Sequence, residues 1–348
     1  MTAPGGFEAP FTPFTLAWDG PQMPAADLAA FPSAFEWWYF DLACEDGTDL
    51  VLVMSRQNPV FATRKASVYL EYKDPTRALK RIRNYAPSAF SFREGADERT
   101  IAIDACSVRI VGATPETMHY AVTIDLPGFQ AQLTMRPEHL GFLPTPTGRY
   151  FTDRTDARLF TAVSFSAPLM RSQGTITIDG VTRPVDGRGY HDHPWGTQQI
   201  FWTNLEWNWA RTETPAEGVM FAKVTPAAEY EGALTFCYSA ALGVWEPTVT
   251  GSLDVSPSDW RKDNAMDIRY PHTLGVRTPG RSWTAAATGP LLDTPIYVRA
   301  SVTWTPSQGP AGKGWVEYFH LSPWARGLAF LGARVQSFFL RPFPWFGR

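Results

Sequence analysis

The sequence predicts a mostly β protein made of two antiparallel β-domains of sandwich or barrel type. Three observations carry that prediction. Short β-branched and aromatic runs recur along the chain, with turn material about every 8–15 residues. Helical patterns with the spacing of βαβ units are missing, which argues against a parallel α/β fold. The two halves share this texture, and 348 residues is the length of about two domains.

Residues 1–34 are rich in Pro, Gly and Phe, show no clear period, and read as an extended arm lying over the fold. The first β-domain is expected over 35–200. Its strand candidates are FEWWYFDLA from Phe35, Asp49–Arg56, Ala66–Tyr72, Arg99–Val111, Met118–Asp125, Phe129–Arg136 and Thr175–Ile178. The second is expected over 201–348, with a soft boundary near 196–210. Its candidates are Phe201–Ala210, Val219–Val224, Ala233–Leu242, Val249–Val255, Ser282–Thr288, Tyr297–Trp304 and Gly314–His320. GPAGKG, Gly309–Gly314, has the wrong spacing for a phosphate loop and reads as a hairpin turn. Trp324, Leu328, Leu331, Val335, Phe338 and Phe339 form one stripe at helical spacing, and Pro342 and Pro344 end it. This predicts a short terminal helix over 324–341, docked on a barrel or touching a membrane surface where a greasy substrate resides.

Composition narrows the function classes. A net charge of −3 provides no basic footprint for nucleic acid. Cys44, Cys106 and Cys237 are scattered, which fits a reducing compartment better than a disulfide framework. The opening MTAPGGFEAPFTPF lacks the pattern of a secretory signal, and no apolar run reaches the ~20 residues of a membrane span. A cytoplasmic protein, with peripheral membrane association through 324–341 as an added option, is the expectation. Aromatic residues make up 14% of the chain, including 14 Trp. Rings in that number pack between sheets or line a large apolar cavity.

The segment most suited to chemistry is Gly187–Gly196, GRGYHDHPWG. Its glycines permit tight turns or close backbone approach. In an extended run, Arg188, Tyr190 and Asp192 share one face and His191, His193 and Trp195 the other. Three readings compete on the residues alone. Asp192, enclosed by aromatics, would be desolvated and kept in its proton-donating form. His191 and His193 could clamp a metal with a third ligand such as Glu206, His272 or His320. Or the three residues form a buried hydrogen-bond network that pins a strand junction.

Three further segments set acids among rings. In Phe35–Asp41, FEWWYFD, Glu36 and Trp38 share one face and Trp37 and Tyr39 the other. In Trp202–Trp209, Asn204, Glu206 and Asn208 alternate with Leu205, Trp207 and Trp209. GWVEYFH, Gly314–His320, repeats the theme. Each is equally the pattern of a strand buried on one side. No GxSxG elbow, GxxxxGK[ST] loop or HExxH occurs.

EWWYFD and GRGYHDHPWG, together with WNWAR and GWVEY, resemble the carotenoid 1,2-hydratase (hydroxyneurosporene synthase) family. That superfamily includes AttH-like proteins and is similar to the lipocalin-like Diels–Alderases. The resemblance spans roughly residues 30–320. It implies two lipocalin-like β-barrel domains, a hydrophobic pocket in and between them, and chemistry without an organic cofactor or a metal. It also implies that Asp192 protonates an isoprenoid C=C bond and that nearby indoles stabilise the resulting cation.

The expectation is a cofactor-independent enzyme that hydrates, cyclises or isomerises a C=C bond of a hydrophobic isoprenoid or polyene. Asp192 is the proton donor, and His191 and His193 tune and orient it. Glu36, Trp37, Trp38, Tyr39, Tyr190, Trp195, Glu206 and Trp207 line the pocket. Two alternatives stand beside it: a Diels–Alderase-like pericyclase that works as an entropy trap, and a non-catalytic carrier of a hydrophobic ligand. The substrate (carotenoid, smaller terpenoid or polyketide) and the oligomeric state stay open.

Overall fold

A computed structural model of the chain describes residues 6–58, 64–262, 269–294 and 297–320. The expected helix over 324–341 lies outside these residues. Strand accounts for 66% of the described residues and helix for 5%. Among the described residues, one sheet has 15 strands and a second has 10.

In each sheet the chain order forces curvature. The ordered path of the larger sheet runs from Ala78–Tyr85 at one edge to Phe90–Glu94 at the other. These edge strands are neighbours in sequence, joined by a short turn through Pro87–Ala89. The path of the smaller sheet ends on Asp254–Arg261, and near its other end lies Thr248–Thr250, separated from it in sequence by three residues. A flat sheet cannot bring its edges that close, so both sheets curl into lipocalin-like barrels.

Alternation fills the barrels as a pleated strand demands. Trp38, Phe40 and Leu42 point into the larger barrel with Leu52, Leu70, Tyr120 and Phe129. Ala210, Phe221, Val276, Trp304 and Val316 fill the smaller one. A third apolar layer lies between them. Phe142, Phe165 and Tyr190 come from the larger sheet, and Trp207, Met220, Phe236 and Phe319 from the smaller.

The switch from one sheet to the other falls between Gly196 and Asn204, across the short helix Ile200–Thr203. Two small exchanges tie the barrels together. Gly6–Phe7 pairs in parallel with Thr248–Thr250, and Tyr230–Gly232 pairs with Arg149–Asp153 of the larger sheet. Within the first 34 residues the chain forms the one-turn helix Leu16–Asp19 and the helix Ala25–Ala30.

The strand expectations fail where a turn residue hides inside a β-like run. Arg99–Val111 is two strands, Glu98–Ile103 and Cys106–Val111, with Asp104 at φ 55° between them. Phe201–Ala210 starts as helix and becomes strand only at Asn204. Thr175–Ile178 is the end of a 19-residue strand, Phe160–Ile178. It folds back at Asp179-Gly180 into Val181–Gly196, which carries the GRGYHDHPWG segment.

Candidate functional site

Val181–Gly196 runs between Phe160–Ile178 and Phe35–Cys44, so its side chains point either into the larger barrel or toward the smaller one. Its glycines serve close approach. A Cβ at Gly187 would sit 2.3 Å from the Ala43 carbonyl oxygen, and one at Gly196 would sit 2.3 Å from that of Phe160.

The inward face carries His191, His193 and Trp195. His191 is fully buried, stacks on Phe40 at 4.0 Å and 2°, and turns Nδ1 to the Tyr39 carbonyl at 2.8 Å. Its Nε2 lies 3.2 Å from Asp19 Oδ1. Asp19 also accepts from Tyr120 Oη at 2.6 Å, and its own carbonyl accepts from Trp38 Nε1 at 2.8 Å. Burial alone would raise the Asp19 pKa; the adjoining His191 and three hydrogen bonds outweigh that and hold it below its ordinary value. His193 stacks on Trp38 at 4.5 Å, and its Nδ1 faces the Trp18 carbonyl at 2.7 Å. Glu36 is fully buried and accepts from the Gln22 and Met23 amides and from Arg56. Trp195 stacks on Trp18 at 5.9 Å. This face therefore fastens residues 16–23 into the barrel.

The opposite face looks toward the smaller barrel. Arg188 pairs with Glu138 and, at 2.6 Å, with Glu213 across the interface. Tyr190 Oη donates to Asp192 Oδ2 at 2.6 Å. Asp192 Oδ1 is buried and has no hydrogen-bond partner in the protein. Burial drives the Asp192 carboxyl up, Glu317 and Asp41 add to this, and Tyr190 and His193 oppose it; the outcome is a pKa of about 7.

Around this acid, Tyr39 lies opposite Asp192 on the neighbouring strand and packs edge-on to Tyr190 at 5.9 Å. Trp209 meets Tyr190 edge-on at 5.5 Å. Arg211, 4% exposed, donates to Asp41 Oδ1 at 2.7 Å and lies over the Tyr190 ring at 5.0 Å. Trp315 is held between two guanidinium groups, Arg211 at 4.1 Å and Arg299 at 4.3 Å. Burial raises the Asp41 pKa against the pull of Arg211 and Arg299.

The structure thus gathers Asp192, Tyr190 and Tyr39 from the sequence candidates, and adds Asp41, Arg211, Arg299, Trp209, Trp315 and Glu317. Trp207 lies in the same inter-sheet layer, stacked on Phe319 at 4.1 Å. Trp37 packs in a neighbouring patch with Phe35, Val51 and Val53. His191, His193, Glu36, Trp38 and Trp195 are on the far side of the Asp192 strand. Glu206 pairs with Asn208, off the aromatic face of its own strand. The two imidazoles approach different acceptors. Among the described residues, no three His, Cys, Asp or Glu side chains form a metal-like cluster.

Asp19, Arg211 and Arg299 are participants that reading the sequence missed. Asp19 sits in an aperiodic stretch. Arg211 had one signal, its place at the end of the alternating NLEWNWAR run.

No protein-family model and no curated protein matches the chain. Solved structures share its fold. An AttH-like protein of Nitrosomonas europaea has 18% identity and a TM-score of 0.58, over 86% of this chain and 97% of the other. CghA, solved with Sch210972, has 12% identity and a TM-score of 0.56, over 84% and 89%. At these identities the likeness is one of architecture, and it matches the lipocalin-like expectation.

Proposed function

We propose that the protein is a cofactor-independent enzyme that acts on a hydrophobic isoprenoid or polyene, with Asp192 as proton donor to a C=C bond. The observation that carries this is the state of Asp192. It is an acid with a pKa of about 7, its Oδ1 buried and unpartnered among Tyr39, Tyr190 and Trp209. A carboxyl in that range holds its proton near neutrality and can release it to a bound group.

In a hydration, the alkene π pair takes the Asp192 proton and forms a C–H bond, leaving a cation on the other carbon. Water adds there, and its surplus proton returns to the Asp192 carboxylate. In a cyclisation a second π bond captures the cation, and the new cation this leaves gives up a neighbouring proton to the Asp192 carboxylate. The faces of Tyr190 and Trp209 supply the electron density that such a cation needs. His191 and His193 act at a distance, as positioning residues that anchor the strand from its other side.

A second reading, a pericyclase, is favoured by Arg211 and Arg299. Two guanidinium groups on the rings around Asp192, at Tyr190 and Trp315, suit an electron-rich oxygen better than a carbocation. Turnover in D2O separates the two readings. Proton donation puts one deuterium on carbon in the product and is abolished in Asp192→Asn. A pericyclic reaction incorporates none and loses rate only modestly. Recovery of bound ligand unchanged from both the wild type and Asp192→Asn would support a carrier and contradict both readings.

A further inference from the structure

The space between the barrels holds more hydrogen-bonding capacity than the protein uses. Arg211 spends Nη2 on Asp41, while its Nη1 is buried with no partner in the protein. Asp41 Oδ2 and Asp192 Oδ1 are in the same condition. The three residues adjoin one side chain: Tyr190 bonds Asp192, pairs across the sheet with Asp41, and lies under Arg211. Burying such groups unpaired costs free energy, most of all for the charged donor Arg211 Nη1, and its retention points to a ligand that accepts from it.

We propose that this cluster receives a carbonyl oxygen of the substrate, a ketone or aldehyde at one end of its polyene, on Arg211 Nη1, with the rest of the polyene toward Asp192. The proposal rests on the reading of Asp192 as the acid at an apolar site and names the substrate class of that site. A hydrocarbon would leave all three atoms unpaired. A carboxylate would meet Asp41, Glu317 and Asp192, and an ammonium would meet Arg211 and Arg299. A neutral carbonyl oxygen accepts the guanidinium N–H that Arg211 offers, and the Asp192 proton stays available for the C=C bond. Arg211 is fixed for this role by Asp41 and by the Tyr190 and Trp315 rings on which it lies.

The test is a matched pair of probes: pseudoionone, an acyclic polyenone, and its methylenated analogue, in which C=CH2 replaces C=O. Binding is read from quenching of tryptophan fluorescence. The wild type is expected to bind pseudoionone at least tenfold more tightly than the analogue. Because removing one partner of a buried ion pair can unfold a protein, the variant is the neutral pair Asp41→Asn/Arg211→Gln, with its fold checked by circular dichroism. There the preference should collapse to within twofold while the hydrocarbon still binds. Equal affinities in the wild type, or a preference that survives in the variant, would overturn the proposal and leave the acid role of Asp192 standing. Binding of neither probe would overturn it together with the apolar site on which it rests.

Discussion

Tyr190 Oη donates to Asp192 Oδ2 at 2.6 Å from two residues along the same strand, and this bond is the largest influence that lowers the carboxyl pKa. Burial, Glu317 and Asp41 act the other way. Replacing Tyr190 by Phe removes the donor and leaves the burial. The Asp192 pKa is therefore expected to rise above about 7 in Tyr190→Phe. The alkaline limb of the pH–rate profile should move upward with it. An unchanged limb would mean that Asp192 does not set it.

Asp192 should cost stability at alkaline pH. Its folded pKa of about 7 lies above the unfolded value of roughly 3.9, so the folded state holds the proton more tightly. Stability then falls as pH rises from about 4 to about 7, and the loss is complete above that. Three units correspond to roughly 4 kcal/mol at most. Asp192→Asn should leave Tm unchanged near pH 4 and raise it near pH 9. The difference between variant and wild type isolates this group from Asp41, whose pKa is also raised.

Asp19 should behave with the opposite sign. Its folded pKa is lowered, so its contribution is present above the ordinary carboxylate range and is lost as pH falls through the folded value. Asp19→Asn removes the acceptor that His191 Nε2 and Tyr120 Oη face, with an expected cost of about 1–3 kcal/mol for buried hydrogen bonds left unmade. Residues 16–23 should loosen first. Limited proteolysis in that stretch should appear in the variant at neutral pH, and in the wild type only on strong acidification.

Gly187 tests the strand that carries the acid. Gly187→Ala would set a Cβ 2.3 Å from the Ala43 oxygen, and backbone cannot swing aside as a side chain does. The expected loss is about 1–3 kcal/mol in chemical denaturation, as for overpacking. Asp192 would be displaced with its strand, so the rate should fall as well.

The pleat made much of this legible in the sequence. Alternation alone separates Tyr190 and Asp192 from His191, His193 and Trp195, and the structure has that division. Alternation also finds the polar and aromatic faces of Asn204–Trp209. It does not say which face meets the other barrel. That is why Glu206 looked like a lining residue while Arg211, on the aromatic side, was missed. The Arg211–Asp41 pair joins positions 170 residues apart, and nothing local encodes it. The adjacency of His191, Asp192 and His193 suggested one cluster, but neighbours on a strand point to opposite sides. Asp19 was invisible for another reason: it is held by tertiary contacts in a stretch with no periodicity.

The central claim is that Asp192 carries a proton near neutrality at the face between the barrels. The direct measurement is a carbon-13 NMR titration of aspartate side-chain carboxyls, with Asp192 assigned by its absence in Asp192→Asn. A midpoint near 7 is the predicted result. A midpoint near the ordinary aspartate value of about 4 would contradict it, because the group would then be an anion at neutral pH with no proton to give.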